Sequence, residues 1–182
     1  MVTLDDAELR ARARRIALVV SDNDGVLTDG TVLVSDVGEE LKAYSLRDGM
    51  GVERLRRVGI QTAICTRETT PIVRRRAEKL ELPHVWQGVR DKRAHLPRIL
   101  ADSRLEPNQL VYIGDDVNDL EIILAIGATG LTAAPADAMP DVRRAVHFVT
   151  TAPGGRGAFR DVAEWLLRLR ADATHTKETA HD

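Results

Sequence analysis

A single cysteine, Cys65, stands in the 182-residue chain. That excludes an internal disulfide framework and any zinc site built from several thiolates. Five histidines are present, and none is spaced to share a metal with another; His175 and His181 fall in a polar tail. Aromatic residues make up only 3% of the chain, so its core has to be aliphatic. No basic stretch is interleaved with aromatics to stack single-stranded nucleic acid. The formal net charge of −2 exerts no general pull on nucleic acid or an anionic membrane. No apolar run approaches membrane-spanning length, and no hydrophobic signal segment follows the N-terminus. The expectation is a cytoplasmic protein with neither nucleic acid nor membrane as partner.

What the chain does contain is alternation. Short β-branched or aliphatic runs at 16–21, 61–66, 84–86, 110–114, 128–133 and 146–149 predict strands. Between and around them, helical periodicity covers 5–14, 48–58, 70–80, 91–103, 118–126, 138–144 and 157–170. Strand–helix alternation implies right-handed βαβ units and a Rossmann-like parallel sheet flanked by helices. Thr31–Ser35 and Glu40–Ser45 flank a turn containing Gly38 and predict a β-hairpin. Residues 1–170 are expected to form one α/β domain, with 25–47 as a flap too small for a separate cap domain. The tail over 171–182 has no apolar period and is expected to be disordered.

Directly after the first apolar run comes Asp22-Asn23-Asp24-Gly25-Val26-Leu27-Thr28-Asp29-Gly30. Two carboxylates one residue apart stand where open α/β sheets present their ligands, and Gly25 lets the chain turn away. Three further strand ends carry polar groups: Thr66, then Lys92 near a helix start, then Gly114-Asp115-Asp116-Val117-Asn118-Asp119. Parallel strands would open all four loops on one edge. Phosphoryl transfer suits that set, because positioning and charge compensation supply most of its catalysis. In this scheme Asp22 attacks phosphorus and becomes an aspartyl-phosphate, while Asp24 protonates the leaving alcohol and then activates water. Mg²⁺ would be held by the Asp22 carboxylate, the Asp24 main-chain carbonyl, Asp115 and waters. Thr66 and Lys92 would bind the transferring oxygens, with Asn118 and Asp119 orienting Lys92 or metal-bound water. Asp116 is read as a loop or capping carboxylate, and Cys65 as a buried strand residue.

From about residue 16 to 170, these four motifs in this order resemble the haloacid dehalogenase superfamily of phosphatases. The hairpin DGVLTDG…GEELKAYSLRDGMG and the later PADA…GGRGAFR look like its capless branch. That branch includes phosphatases of 3-deoxy-D-manno-octulosonate 8-phosphate and of 2-keto-3-deoxynonulosonate 9-phosphate. The resemblance implies a phosphorylated sugar acid as substrate. It also implies a homotetramer whose neighbouring subunits help to cover each site. Glu68, followed by IVRRRAEKL and QGVRDK, is similar to the nonulosonate phosphatases, which makes that substrate the leading expectation and the octulosonate ester the alternative. Arg67 departs from the glycine expected in both groups. Glu68 and Arg76 are carried over as substrate-recognition residues. On a helical wheel Arg76 falls inside the apolar arc of Ile72, Val73, Ala77 and Leu80, so it needs a partner such as a substrate carboxylate or Glu68. Ser45, Arg47, Asp48 and Gly49 match substrate-contacting positions of the branch. Gly154-Gly155-Arg156-Gly157 reads either as a turn or as a loop approaching a neighbouring site. A capless domain of this kind can also serve as a non-catalytic oligomerisation module in a sugar-activating pathway; here the complete motif set argues for retained chemistry.

Overall fold

Strand β1 (Leu18–Ser21) is buried along its whole length, and its alternation sorts the molecule into three layers. Leu18 and Val20 face one apolar cluster, with Leu96, Ile99, Ile122, Ile126 and Val142. Val19 faces the other, with Val52, Leu55, Val73, Ala77, Phe159 and Val162. A strand covered on both faces has no polar side to present, which is why 16–20 is a continuous aliphatic run. The computed structural model describes residues 4–171. Apart from Ala171, which closes the last helix, the polar tail lies outside the described residues.

The sheet is parallel throughout, in the order β5-β4-β1-β6-β7-β8. The remaining strands are β4 (Gln61–Cys65), β5 (His84–Trp86), β6 (Leu110–Ile113), β7 (Leu131–Ala134) and β8 (Phe148–Val149). Helices α1 (Asp6–Arg15), α2 (Leu46–Arg57), α3 (Pro71–Lys79) and α7 (Ala158–Ala171) cover the Val19 face. Helices α4 (Lys92–Ser103), α5 (Leu120–Gly127) and α6 (Pro140–Ala145) cover the other. After β1 the chain builds outward through β4 and β5, then returns to lay β6 on the opposite side of β1. That reversal opens a crevice beyond the C-terminal ends of β4, β1 and β6, the place where such sheets bind ligands.

The flap is a two-stranded antiparallel hairpin, β2 (Leu33–Ser35) and β3 (Gly38–Leu41), inserted between β1 and α2. Its turn is Asp36-Val37, a correction to the expected turn on Gly38. A two-residue loop is enough to close an antiparallel ladder, so Gly38, at φ 124°, pairs with Ser35 as the first residue of β3. The hairpin is also shorter than expected: after Leu41 the chain leaves the ladder, and Ser45 becomes the N-cap of α2. β7 likewise begins at Leu131 and not at 128, because the α5 exit closes with Gly130 N donating to the Ile126 carbonyl at 2.7 Å.

Candidate active site

Register brings the site together. Ser21 lies opposite Ile64 of β4 on one side and Ile113 of β6 on the other. The residues that follow these strands therefore emerge side by side. They open on a pocket of about 270 Å³ lined by Asp22, Asp24, Thr66, Arg67, Glu68 and Asp115, among others. Gly25, at φ 80°, passes so close to this group that a Cβ there would sit 1.9 Å from Asp115 Oδ2. Only glycine permits both that backbone and that approach.

Lys92 is the first residue of α4, which Asp91 caps by accepting from Ala94 N at 2.8 Å. Its side chain runs into the interior, leaving the residue 1% exposed. There Nζ donates to Asp22 Oδ2 at 2.5 Å and to Asp119 Oδ1 at 2.6 Å. An ammonium has three protons, so one remains for a transferring phosphoryl oxygen. Asp119 is fully engaged: Oδ1 also accepts from the Tyr112 hydroxyl at 2.7 Å, and Oδ2 from Asp115 N at 3.1 Å. It holds Lys92 and the acidic loop, the orienting part expected of it. Asp116 caps the short 3-10 turn Val117–Asp119, as expected. Thr66 Oγ1 accepts from Glu68 N at 3.1 Å, which leaves the hydroxyl hydrogen to donate to a ligand.

The electrostatics of this cluster are unbalanced. Asp22, Asp115 and Asp119 have carboxylate oxygens within 4.8 Å of one another. Three negative charges against the one ammonium of Lys92 leave an excess of two. Burial, then the charge of Asp119, push Asp22 up to about 8. The same two causes push Asp115 up to about 7. Burial opposes the charge on Lys92, yet Asp22 and Asp119 lift its pKa above the ordinary lysine value. A hard divalent cation would cancel the excess and let both aspartates ionise. The donor set fits such an ion: Asp22 and Asp115 are the carboxylates not saturated by hydrogen bonds. The Asp24 main-chain carbonyl accepts no main-chain hydrogen bond among the described residues. Cys65, one residue from Thr66, is a buried thiol pushed up to about 12 by burial, the opposite of the lowered value that marks a reactive thiolate.

The substrate-recognition residues divide. Glu68 lines the pocket beside Arg67. Arg76 is not among the residues lining it; its guanidinium lies 5.0 Å from the Tyr44 ring centroid and donates to the Ser45 carbonyl at 3.1 Å. Within the chain, the base of the flap supplies a partner for this arginine on the apolar arc. Gly49 packs against the same guanidinium, where a Cβ would lie 3.2 Å from Nη2. Ser45 caps α2 by accepting from Arg47 N at 3.1 Å. Buried Asp48 accepts from Gly157 N at 3.3 Å and Arg160 N at 2.9 Å, which caps the start of α7. Arg47 opens on a separate cleft with Arg156 and Arg160. Within this chain, then, Ser45, Arg47, Asp48 and Gly49 do not line the acidic pocket. The glycine-rich loop packs on the chain's own catalytic loop, with Gly155 N donating to the Val26 carbonyl at 2.9 Å.

Two flap residues escaped the sequence reading. Lys42 Nζ donates to Asp24 Oδ1 at 2.7 Å, and the Tyr44 hydroxyl donates to Asn23 Oδ1 at 3.1 Å. The available signal was their spacing: two residues apart in extended backbone, both side chains point the same way.

A parallel sheet that delivers a paired acidic loop, a hydroxyl, a buried lysine and a second acidic loop to one edge, with no separate cap domain among the described residues, defines a phosphoryl-transfer hydrolase. No protein-family model matches the chain. Over 156 residues, 86% of this chain and 82% of the relative, it is 39% identical to the 3-deoxy-D-manno-octulosonate 8-phosphate phosphatase of Yersinia pestis. The Moraxella catarrhalis enzyme of that name, solved with magnesium, phosphate and KDO, superposes with a TM-score of 0.83 at 32% identity, covering 94% of this chain and 98% of that one. A cobalt-bound form of the Haemophilus influenzae phosphatase superposes with a TM-score of 0.82 at 34% identity, covering 88% and 92%. The chain belongs to the capless sugar-acid phosphatase branch of the haloacid dehalogenase superfamily. These relatives carry the octulosonate name, the alternative and not the leading expectation; none of them supports the nonulosonate reading.

Proposed function

We propose that this chain is a Mg²⁺-dependent phosphatase that cleaves a phosphate ester at the primary carbon of a sugar acid, with 3-deoxy-D-manno-octulosonate 8-phosphate as its substrate. The observation that carries the reading is the cluster of Asp22, Asp115, Asp119 and Lys92, whose uncompensated charge matches one divalent cation. Asp22 accepts the phosphoryl group, while Lys92 and Thr66 hold its oxygens. Asp24 protonates the departing alcohol and afterwards takes a proton from the attacking water. Asp22, Asp115 and the Asp24 main-chain carbonyl would hold Mg²⁺, which would supply positive charge to the transferring phosphoryl group. The octulosonate ester is favoured by the relatives; Glu68 in the pocket keeps the nonulosonate ester as a second reading. Arg67 lines the pocket, and its guanidinium suits the carboxylate of either acid. A phosphate-release panel with Mg²⁺ tests both. Octulosonate 8-phosphate is expected to show the highest kcat/KM, nonulosonate 9-phosphate less, and neutral sugar phosphates least. A preference for neutral esters would overturn the substrate class, and no release from any ester would favour the non-catalytic module.

We also propose that the flap is where copies of this chain meet, as a homotetramer acting in the cytoplasm. Val34, Val37, Leu41 and Leu46 are exposed on or beside the hairpin, Val37 at 84%. Apolar side chains gathered on so small an element have nothing among the described residues to cover them. No described helix is long and apolar enough to cross a membrane. Sedimentation velocity is expected to give a tetramer, and Val37→Asp with Leu41→Asp a smaller species. A wild-type monomer at micromolar concentration would refute the assembly.

A further inference from the structure

We propose that Lys42 is a positioning residue for the proton-transfer steps: by holding Asp24 Oδ1 it leaves Oδ2 as the oxygen that gives and takes the proton. This rests on the phosphatase reading above. Three donors converge on Oδ1: Lys42 Nζ at 2.7 Å, Asn23 Nδ2 at 3.1 Å and Thr28 Oγ1 at 3.3 Å. Oδ2 is buried and has no hydrogen-bond partner among the described residues. A buried carboxylate oxygen without a donor is costly and rare in a folded protein, so its partner is to be sought in a ligand. The Lys42 side chain is only 1% exposed, although it leaves a flap whose neighbouring residues face solvent.

A second contact supports the first. Tyr44 donates to Asn23 Oδ1 and so turns the amide to put Nδ2 toward Asp24. Arg76 packs over Tyr44 and donates to the Ser45 carbonyl, which anchors the segment that carries Lys42. The flap exit is thus a strut from α3 to the acid–base residue. In the first step the ester P–O bond breaks, a P–O bond to Asp22 forms, and the proton on Asp24 Oδ2 passes to the alcohol oxygen. In the second, water oxygen bonds to phosphorus, its proton goes to Asp24 Oδ2, and the bond to Asp22 breaks. A carboxyl free to rotate would present Oδ2 to the leaving oxygen only part of the time.

Leaving-group dependence tests this, because kcat/KM reports the enzyme up to phosphoryl transfer and omits the later hydrolysis. The full chain with Mg²⁺ would be assayed on esters ranging from sugar and alkyl phosphates to p-nitrophenyl phosphate. Alcohols need the Asp24 proton; p-nitrophenol leaves without it. Lys42→Met is expected to lose roughly 10²-fold in kcat/KM on alkyl esters, within the range of general-acid catalysis, and little on p-nitrophenyl phosphate. Lys42→Arg should recover most of the alkyl activity. Equal loss on every ester would overturn the proposal, since a damaged fold or a lost phosphate contact has no leaving-group dependence. Should Lys42→Met fail to fold, Tyr44→Phe decides: selective loss on alkyl esters supports the proposal and uniform loss refutes it. A wild-type enzyme inert on all these esters would instead remove the phosphatase reading.

Discussion

Asp22→Asn is expected to abolish turnover, by about 10⁴-fold or more, as removal of a covalent nucleophile does elsewhere. The amide has nearly the volume of the carboxylate and cannot accept the phosphoryl group. The fold, however, should not suffer. Asp22 is crowded by Asp119 and Asp115 and held near 8 by burial and by those charges. Neutralising it relieves repulsion and leaves Lys92 paired with Asp119. In the metal-free protein at pH 8, the melting temperature of Asp22→Asn should therefore equal or exceed that of the wild type. The stabilisation by Mg²⁺ should shrink, because one of its two carboxylates is gone. Phosphate release and thermal unfolding, with Mg²⁺ and with a chelator, read both effects. Undiminished turnover would remove Asp22 from the chemistry.

Lys92→Met should cost both activity and fold. Among the described residues the ammonium is the only positive charge bonded to the Asp22 and Asp119 carboxylates, and deleting one partner of a buried ionic group typically costs about 3–5 kcal/mol. Methionine fills the volume and satisfies neither acid. The loss should deepen with pH, and the sign follows from the carboxylates already raised in the wild type. Asp22 and Asp115 ordinarily titrate at 3.8 and are held up to about 8 and about 7. A raised folded-state value means stability fully present below the ordinary one and lost as pH climbs through the raised one. The metal-free wild type should therefore lose this contribution between about pH 4 and 8, and Mg²⁺, which binds the ionised forms, should restore it. His147 works the other way: burial pushes it down to about 4, so its contribution is lost as pH falls. The difference in melting temperature with and without Mg²⁺ is accordingly the clean readout. It should widen from pH 5 to pH 8 in the wild type. A difference that narrows over that interval would contradict the charge reading of the site.

The chemistry was legible because its residues sit at strand ends, and strand ends are local features. Asp22, Thr66 and Asp115 each follow a short aliphatic run within a residue or two, so periodicity alone placed them on one edge of a parallel sheet. Lys92 was legible by its order along the chain and its place at a helix start, but its partnership was not: it bridges to Asp22 across 70 residues and to Asp119 across 27. The residues carried over by likeness fall in different places. Glu68 follows directly from Thr66 and reached the pocket, whereas Arg76 and Asp48 were claimed by the flap base and by the N-terminus of α7. A wheel can say that an arginine on an apolar arc needs a partner; it cannot say which of several acceptors is nearest.

By itself the amino-acid order determined the element types, the parallel sheet, the four polar strand-end loops and the small flap, since each follows from spacing along neighbouring residues. Only the tertiary structure decided how charge is shared among Asp22, Asp115, Asp119 and Lys92, and that Lys42 reaches back to Asp24. Those contacts depend on which strands become neighbours and how deep each side chain is buried. Burial is what raises an aspartate of ordinary acidity toward neutral pH, where a divalent cation favours its ionised form.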